Sequence, residues 1–245
     1  MKTIDIREKL KNIGMPVEEL ILGDFDQIGE YTAKKTRSPK SELYRTAGCF
    51  FRPNYERGLL IYSLIKKYNL KSFLEIGFGR GFVTVCAAKA LQENGGGKIV
   101  TIDPLFEDEN TKSHVKRLIE SLPREWFSSN DISFVNGFSQ NILPSINENF
   151  DFVYIDGDHT YEATKKDWLN TKDKFNKFLL FDDYHLPTKK VDALAGSQDI
   201  ECAKAIDEID DFEKELIIMD RRIFFDDRRI PDEEIDYGQI LIEKK

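Results

Sequence analysis

The sequence predicts an α/β fold: a mostly parallel, seven-stranded sheet with helices on both faces and an antiparallel strand at its C-terminal end. Three observations predict it. From about Lys71 onward, short apolar runs ending in Gly or Asp alternate with longer segments of helical spacing. A glycine turn, Gly77-Phe78-Gly79-Arg80-Gly81, joins the first such run to the first such helix. The last two apolar runs have only the polar loop Asp226–Tyr237 between them, with no helical crossover, so they join antiparallel like a long hairpin.

The elements follow in order. Ser72–Ile76 is a strand, and Gly81–Asn94 is a helix stopped by Gly95-Gly96-Gly97. Lys98–Asp103, Ile132–Asn136 and Phe150–Asp156 are the next three strands. Thr160–Phe175 is a helix on which Tyr161, Thr164, Trp168 and Phe175 share one face. Phe178–Asp183 is a strand, Ile200–Ile209 a helix, and Leu216–Phe225 and Gly238–Glu243 are the terminal strands. This alternation covers both faces of a parallel sheet.

Residues 1–70 read as an N-terminal helical extension or lid on a 71–245 domain. Met1–Leu22 carries mixed charge on a helix, and Asn54–Tyr68 is a helix leading into the sheet. Between them, Ala33–Arg57 holds seven basic residues against two acids, interleaved with Tyr44, Phe50, Phe51 and Tyr55. The segment is either a solvated connection whose aromatics pack on the sheet or a substrate arm favouring an anionic or polyhydroxyl group. The second reading puts it at the mouth of the site.

Composition narrows the function classes. A chain of 245 residues suits one α/β domain. A net charge of −8 argues against a large nucleic-acid footprint and for a small polar substrate. No apolar run approaches the ~20 residues that span a bilayer, so no membrane partner is expected. The first residues lack a signal-peptide pattern, and Cys49, Cys86 and Cys202 form no CxxC pair, which suits a reducing cytoplasm. A homo-oligomer is compatible with the sequence.

The sharpest motif is Glu75-Ile76-Gly77-Phe78-Gly79-Arg80-Gly81-Phe82. Glycines let backbone approach a ligand, and the helix that follows offers free N–H groups. Dinucleotide binders need GxGxxG; here the glycines run GxGxG, and the bulky Phe82 holds the third-glycine position. Asp103 ends the next strand, placed for a carboxylate that accepts from ribose hydroxyls. Glu75, Gly77, Gly79, Gly81 and Asp103 together resemble the S-adenosyl-L-methionine (SAM) site of class I methyltransferases, whose fold is Rossmann-like. Ser139, in Gly137-Phe138-Ser139, resembles the segment that lines the adenine pocket; its other reading is a polar turn.

The second constellation is acidic. Tyr154-Ile155-Asp156-Gly157-Asp158-His159-Thr160 ends one strand, and Phe181-Asp182-Asp183-Tyr184-His185 ends the next. Ligands bind outside the carboxyl ends of such strands, so Asp156, Asp182 and Asp183 are expected to converge. Clustered carboxylates repel, and a hard divalent cation such as Mg²⁺ relieves that conflict. The other reading is local: Asp158 or Thr160 caps the following helix.

DGDHTYE followed by FDDYH resembles the methyltransferases acting on sugars of macrolide and aminocoumarin antibiotics, and cephalosporin-biosynthesis relatives. That resemblance implies metal-dependent O-methylation of a sugar-like or other small polar acceptor. It assigns Asp156, Asp182 and Asp183 to the metal, and Asp156 also borders the cofactor. It leaves the general base open between Asp158 and His159. His185 is a candidate substrate contact and His114 has no assigned role. The competing functions are a metal-independent N-methyltransferase, a catalytically silent SAM-binding protein, and a nicotinamide oxidoreductase, the last disfavoured by Phe82.

Overall fold

The computed structural model describes residues 1–32, 55–185, 197–219 and 237–245. The expectations placed on residues 33–54, 220–225 and 226–236 lie outside the described residues.

The described strands are β1 (Lys2–Asp5), β2 (Ser72–Ile76), β3 (Lys98–Asp103), β4 (Asp131–Asn136), β5 (Phe150–Ile155), β6 (Phe175–His185), β7 (Lys214–Ile218) and β8 (Tyr237–Glu243). They form one eight-stranded sheet in the order β1-β7-β8-β6-β5-β2-β3-β4. The pairs from β4 through β6 are parallel, and β8 runs antiparallel to both β6 and β7, as the missing crossover requires.

Helices α1 (Ile6–Asn12), α2 (Leu22–Thr32), α3 (Tyr55–Lys67), α4 (Phe82–Glu93) and α5 (Glu109–Ser121) are joined by the short α6 (Glu125–Ser128) and α7 (Ser139–Ile142) and by α8 (Tyr161–Thr171) and α9 (Ser197–Asp207). Two apolar clusters sandwich the sheet. Phe73, Phe152, Tyr154, Phe178, Leu180 and Leu241 share one cluster with α1 to α5. Leu74, Ile76, Val153, Ile155, Leu179 and Ile240 share the other with α8 and α9. The period-2 alternation of each strand decides which side a residue takes.

Two expectations need correction. Met1–Leu22 is not one helix: Lys2–Asp5 pairs in parallel with β7, and Asp5 then caps α1 by accepting from the Arg7 amide. A four-residue edge strand before a capped helix carries too little alternation to separate it from helical spacing. The Thr160–Phe175 helix stops at Thr171, and Phe175 opens β6, paired with Phe150. Helix α5, unassigned from the sequence, is capped by Asp108, which accepts from the Asn110 and Thr111 amides.

Candidate active site

The glycine loop leaves the central strand β2 and opens α4. Gly77, Gly79 and Gly81 all have positive φ, at 91°, 53° and 78°, and Gly81 is the left-handed N-cap of α4. At Gly77 the need is also steric: a Cβ would lie 1.9 Å from the backbone oxygen of Asp156. The ends of β2 and β5 thus touch through backbone, which joins the glycine loop to the acidic strand end. At Gly79 a Cβ would meet nothing within 4 Å, so the crest of the loop faces open space. That open crest and the helix N-terminus behind it suit a ligand laid against backbone.

Asp103 sets the loop's shape. Its Oδ2 accepts from the amides of Phe78 (3.0 Å) and Gly79 (3.3 Å), and its Oδ1 accepts from the Leu105 amide at 2.8 Å. His114 and Arg80 brace the same loop: the imidazole Nε2 lies 3.0 Å from the Arg80 carbonyl, and Arg80 Nε donates to the Thr32 carbonyl at 2.9 Å. The loop is therefore tied to α5 and to the end of α2.

Glu75 stands behind this loop rather than on its open side. It shares strand parity with Phe73, so it faces the α3–α4 layer, where it is 1% exposed and accepts from the Thr84 hydroxyl. Burial pushes its carboxyl up to about 8. Parity, which the motif reading did not weigh, separates it from the glycines it precedes.

At the ends of β5 and β6 the structure brings Asp156, His159, Asp182 and Asp183 together. In a regular strand Asp182 and Asp183 would face opposite sides. Instead the β6–β8 register shifts between Phe181 and Tyr184, and Asp183 is left-handed with φ 51°. A non-glycine residue held there costs roughly 1–3 kcal/mol, strain that gathers at functional sites. The His159 imidazole lies between Asp156 (Nε2 to Oδ1, 3.6 Å) and Asp183 (Nδ1 to Oδ2, 3.4 Å).

Sequence reasoning missed the residue at the centre of this cluster. Arg57, from α3, places Nη1 2.8 Å from Asp156 Oδ2 and 2.5 Å from Asp182 Oδ2, with Nη2 3.9 Å from Asp183 Oδ1. The helix stands close because of Gly58, where a Cβ would fall 2.6 Å from Phe82 Cε1 and 2.7 Å from Cys86 Sγ. Arg57 closes the basic Ala33–Arg57 segment, so that segment ends at the site. Burial, then the charge of Asp182, still hold the Asp156 carboxyl well above the usual carboxylate range, against the opposing pull of Arg57.

The carboxylate trio does not fit the cation expected of it. Asp182 is 2% exposed, and both its oxygens are engaged: Oδ2 by the Tyr154 hydroxyl (2.8 Å) and Arg57, and Oδ1 by Gln239 Nε2 (2.9 Å). Asp182 is thus a buried anchor within the cluster. Among the described residues the group able to surround a metal is Asp156, His159 and Asp183, whose donor atoms lie within 4.8 Å of one another. A divalent ion there would sit beside the Arg57 guanidinium, and like charges ~4 Å apart repel by several kcal/mol.

The two candidate bases separate. Asp158 is exposed and accepts from the Thr160 amide at 3.0 Å, an Asx turn, while Thr160 caps α8 through the Ala163 amide. His159 belongs to the cluster. Ser139 turns inward and donates to Asp167 Oδ1 at 2.6 Å, leaving Phe138 exposed beside it. Asp167 is 1% exposed and burial raises it to about 6. His185 pairs with Tyr237 in the β6–β8 register. Tyr154, Gln239 and Asp167 carried a signal: each is a polar residue inside an otherwise core-facing pattern.

An open α/β sheet in this order, with a glycine loop after its central strand and an acid after the next, is the class I methyltransferase fold. Residues 74–184 match the model of a family described as a methyltransferase domain. A search of curated protein sequences finds no match. Solved structures similar in fold include the S-adenosylhomocysteine-bound methyltransferase PaMTH1 of Podospora anserina, at 14% identity and a TM-score of 0.61, covering 97% of this chain and 96% of that one. An O-methyltransferase from Bacillus cereus in complex with S-adenosylhomocysteine is similar at 13% identity and a TM-score of 0.57, covering 98% and 97%. The O-methyltransferase TomG of Streptomyces achromogenes, involved in tomaymycin synthesis and solved with SAM, is similar at 15% identity and a TM-score of 0.52, covering 92% and 100%. The match to a methyltransferase domain thus spans residues 74–184, and the fold of the described residues is that of these solved methyltransferases. No helix among the described residues is long and apolar enough to cross a membrane.

Proposed function

We propose that this protein methylates a hydroxyl oxygen of a small, polar, polyhydroxyl acceptor, with His159 accepting the hydroxyl proton. The observation that carries the reading is the His159 imidazole held between Asp156 and Asp183, on strand ends that touch the glycine loop through Gly77. Bound SAM supplies a methyl group on a positively charged sulfur, already activated for transfer.

The chain's residues do the rest. Gly77, Gly79 and Gly81 present backbone to the cofactor, and Asp103 fixes the amides of Phe78 and Gly79 and lies where a ribose would meet an acceptor. An alcohol is a poor nucleophile until it loses its proton. As that proton passes to His159, the acceptor oxygen takes the methyl, and S-adenosylhomocysteine leaves. Carboxylate groups stand on both sides of the imidazole. The same carboxylates disfavour an anionic group at the transfer point, which argues for hydroxyls rather than a phosphate or carboxylate there. Oxygen as acceptor also agrees with the Bacillus and Streptomyces neighbours being O-methyltransferases.

A second reading, transfer aided by Mg²⁺, has the grouping of Asp156, His159 and Asp183 in its favour. Release of S-adenosylhomocysteine, measured across hydroxylated and amine-bearing acceptors with and without EDTA, tests both. The proposal expects turnover with a hydroxylated acceptor and its loss in His159→Ala. Turnover with amines alone, undiminished in His159→Ala, would refute it; loss in EDTA would favour the second reading.

A further inference from the structure

We propose that Arg57 is the resident counter-charge of Asp156, Asp182 and Asp183, its guanidinium standing where the family resemblance implies a divalent cation. The proposal rests on taking the strand-end cluster as the transfer site. Its test needs no acceptor, so it stands or falls separately from O-methylation.

The geometry is that of a built charge site. Arg57 Nη1 bridges carboxylates from two different strands, Asp156 at 2.8 Å and Asp182 at 2.5 Å, and Nη2 turns toward the third. Asp182 has a fully buried side chain, and a carboxylate so placed needs both a partner charge and hydrogen bonds. Arg57 supplies the charge, and Tyr154 and Gln239 supply the bonds. Three elements, α3, β5 and β8, thus converge on one carboxylate of β6. Helix α3 reaches it because Gly58 lets the backbone ride against Phe82 and Cys86.

A guanidinium is planar, carries five donors in a fixed fork, and keeps its charge at any ordinary pH. Mg²⁺ asks instead for near-octahedral oxygen ligands at ~2.1 Å. Arg57 already takes the inward oxygens of Asp156 and Asp182, so that ligand shell cannot assemble around the trio. The outward oxygens of Asp156 and Asp183 face His159. An acceptor hydroxyl entering there meets an imidazole, with a guanidinium behind the carboxylates to balance their charge. The charge balance of the site is then independent of the metal supply.

The test is Mn²⁺ binding, followed by paramagnetic resonance of the free ion, on the full chain saturated with S-adenosylhomocysteine. Wild type is expected to take up no Mn²⁺ below about 1 mM, the weak end of protein divalent-ion sites. Arg57→Met keeps the bulk and removes the charge; it should take up one ion at least ~10-fold more tightly. Adding Asp183→Asn to that variant should abolish the uptake. Arg57→Gln is the second variant, with the same expectation, should Arg57→Met not fold. Stoichiometric uptake by wild type as tight as in the variants overturns the proposal. Absence of uptake in every folded variant overturns it equally, because Arg57 would then fill no cation site.

Discussion

The glycine loop and the strand-end cluster adjoin at Gly77 and Asp156, but they are held by different forces. The loop is held by backbone donors collected on one local acceptor: three amides converge on Asp103, two of them from Phe78 and Gly79. The cluster is held by side-chain charge drawn from separate elements, with Arg57 on α3 and Gln239 on β8 locking Asp182 on β6. A backbone-held site tolerates change in its surroundings and fails when its one acceptor goes. A charge-held site fails when any distant partner goes, because the remainder is left buried and uncompensated.

The largest expected effect breaks chemistry without breaking the fold. His159→Ala should cut turnover by roughly 10²–10⁴-fold, the usual contribution of a positioned base. Calorimetry should find its S-adenosylhomocysteine affinity within about 2-fold of wild type, since the loop amides are untouched. A parallel loss of cofactor affinity would show that loop and cluster are one unit.

Asp103→Ala attacks the loop. Hydrogen bonds to a charged acceptor are worth ~1.5–3 kcal/mol each, so losing three should cost about 4.5 kcal/mol or more of stability. Urea denaturation measures that loss, and cofactor binding should fall with it. An unchanged midpoint would mean the loop holds its shape without Asp103.

Asp167 offers a pH test. Burial raises its carboxyl from 3.8 to about 6, so the folded chain binds this proton more tightly than the unfolded one. Its contribution to stability is therefore full below about pH 4 and fades as the pH rises through about 6. Between pH 4 and 7 wild type should lose about 3 kcal/mol more than Asp167→Asn does. Parallel stability curves for the two proteins would remove the buried carboxyl as the cause.

The smallest effect sharpens the choice of base. Asp158→Ala removes one exposed Asx turn, which should cost no more than about 1 kcal/mol and leave turnover within ~10-fold. A loss as deep as that of His159→Ala would return the proton-accepting role to Asp158.

The strand–loop–helix frame was legible because it is local. Ser72–Ile76 and Lys98–Asp103 ended where their apolar runs ended, and the glycine spacing disfavoured a dinucleotide. The convergence of Asp156 and Asp183 followed from neighbouring parallel strands. Three things were not legible, each for a physical reason. The inward turn of Glu75 depends on strand parity relative to a helix layer. The αL kink at Asp183, which carries both aspartates to one side, is set by pairing with β8, far along the chain. Arg57 lies 99 residues before Asp156, and its arrival depends on Gly58 packing against α4. Clustered carboxylates call for a counter-charge, and Arg57 stands against them from a distant part of the sequence.

The most direct test of the account is a calorimetric titration of the wild-type chain with S-adenosylhomocysteine and, separately, with NADH. Saturable one-to-one binding of S-adenosylhomocysteine, weakened in Asp103→Ala, with no heat from NADH, is the result predicted by the GxGxG loop and its Asp103 acceptor. Binding of NADH without S-adenosylhomocysteine would contradict it.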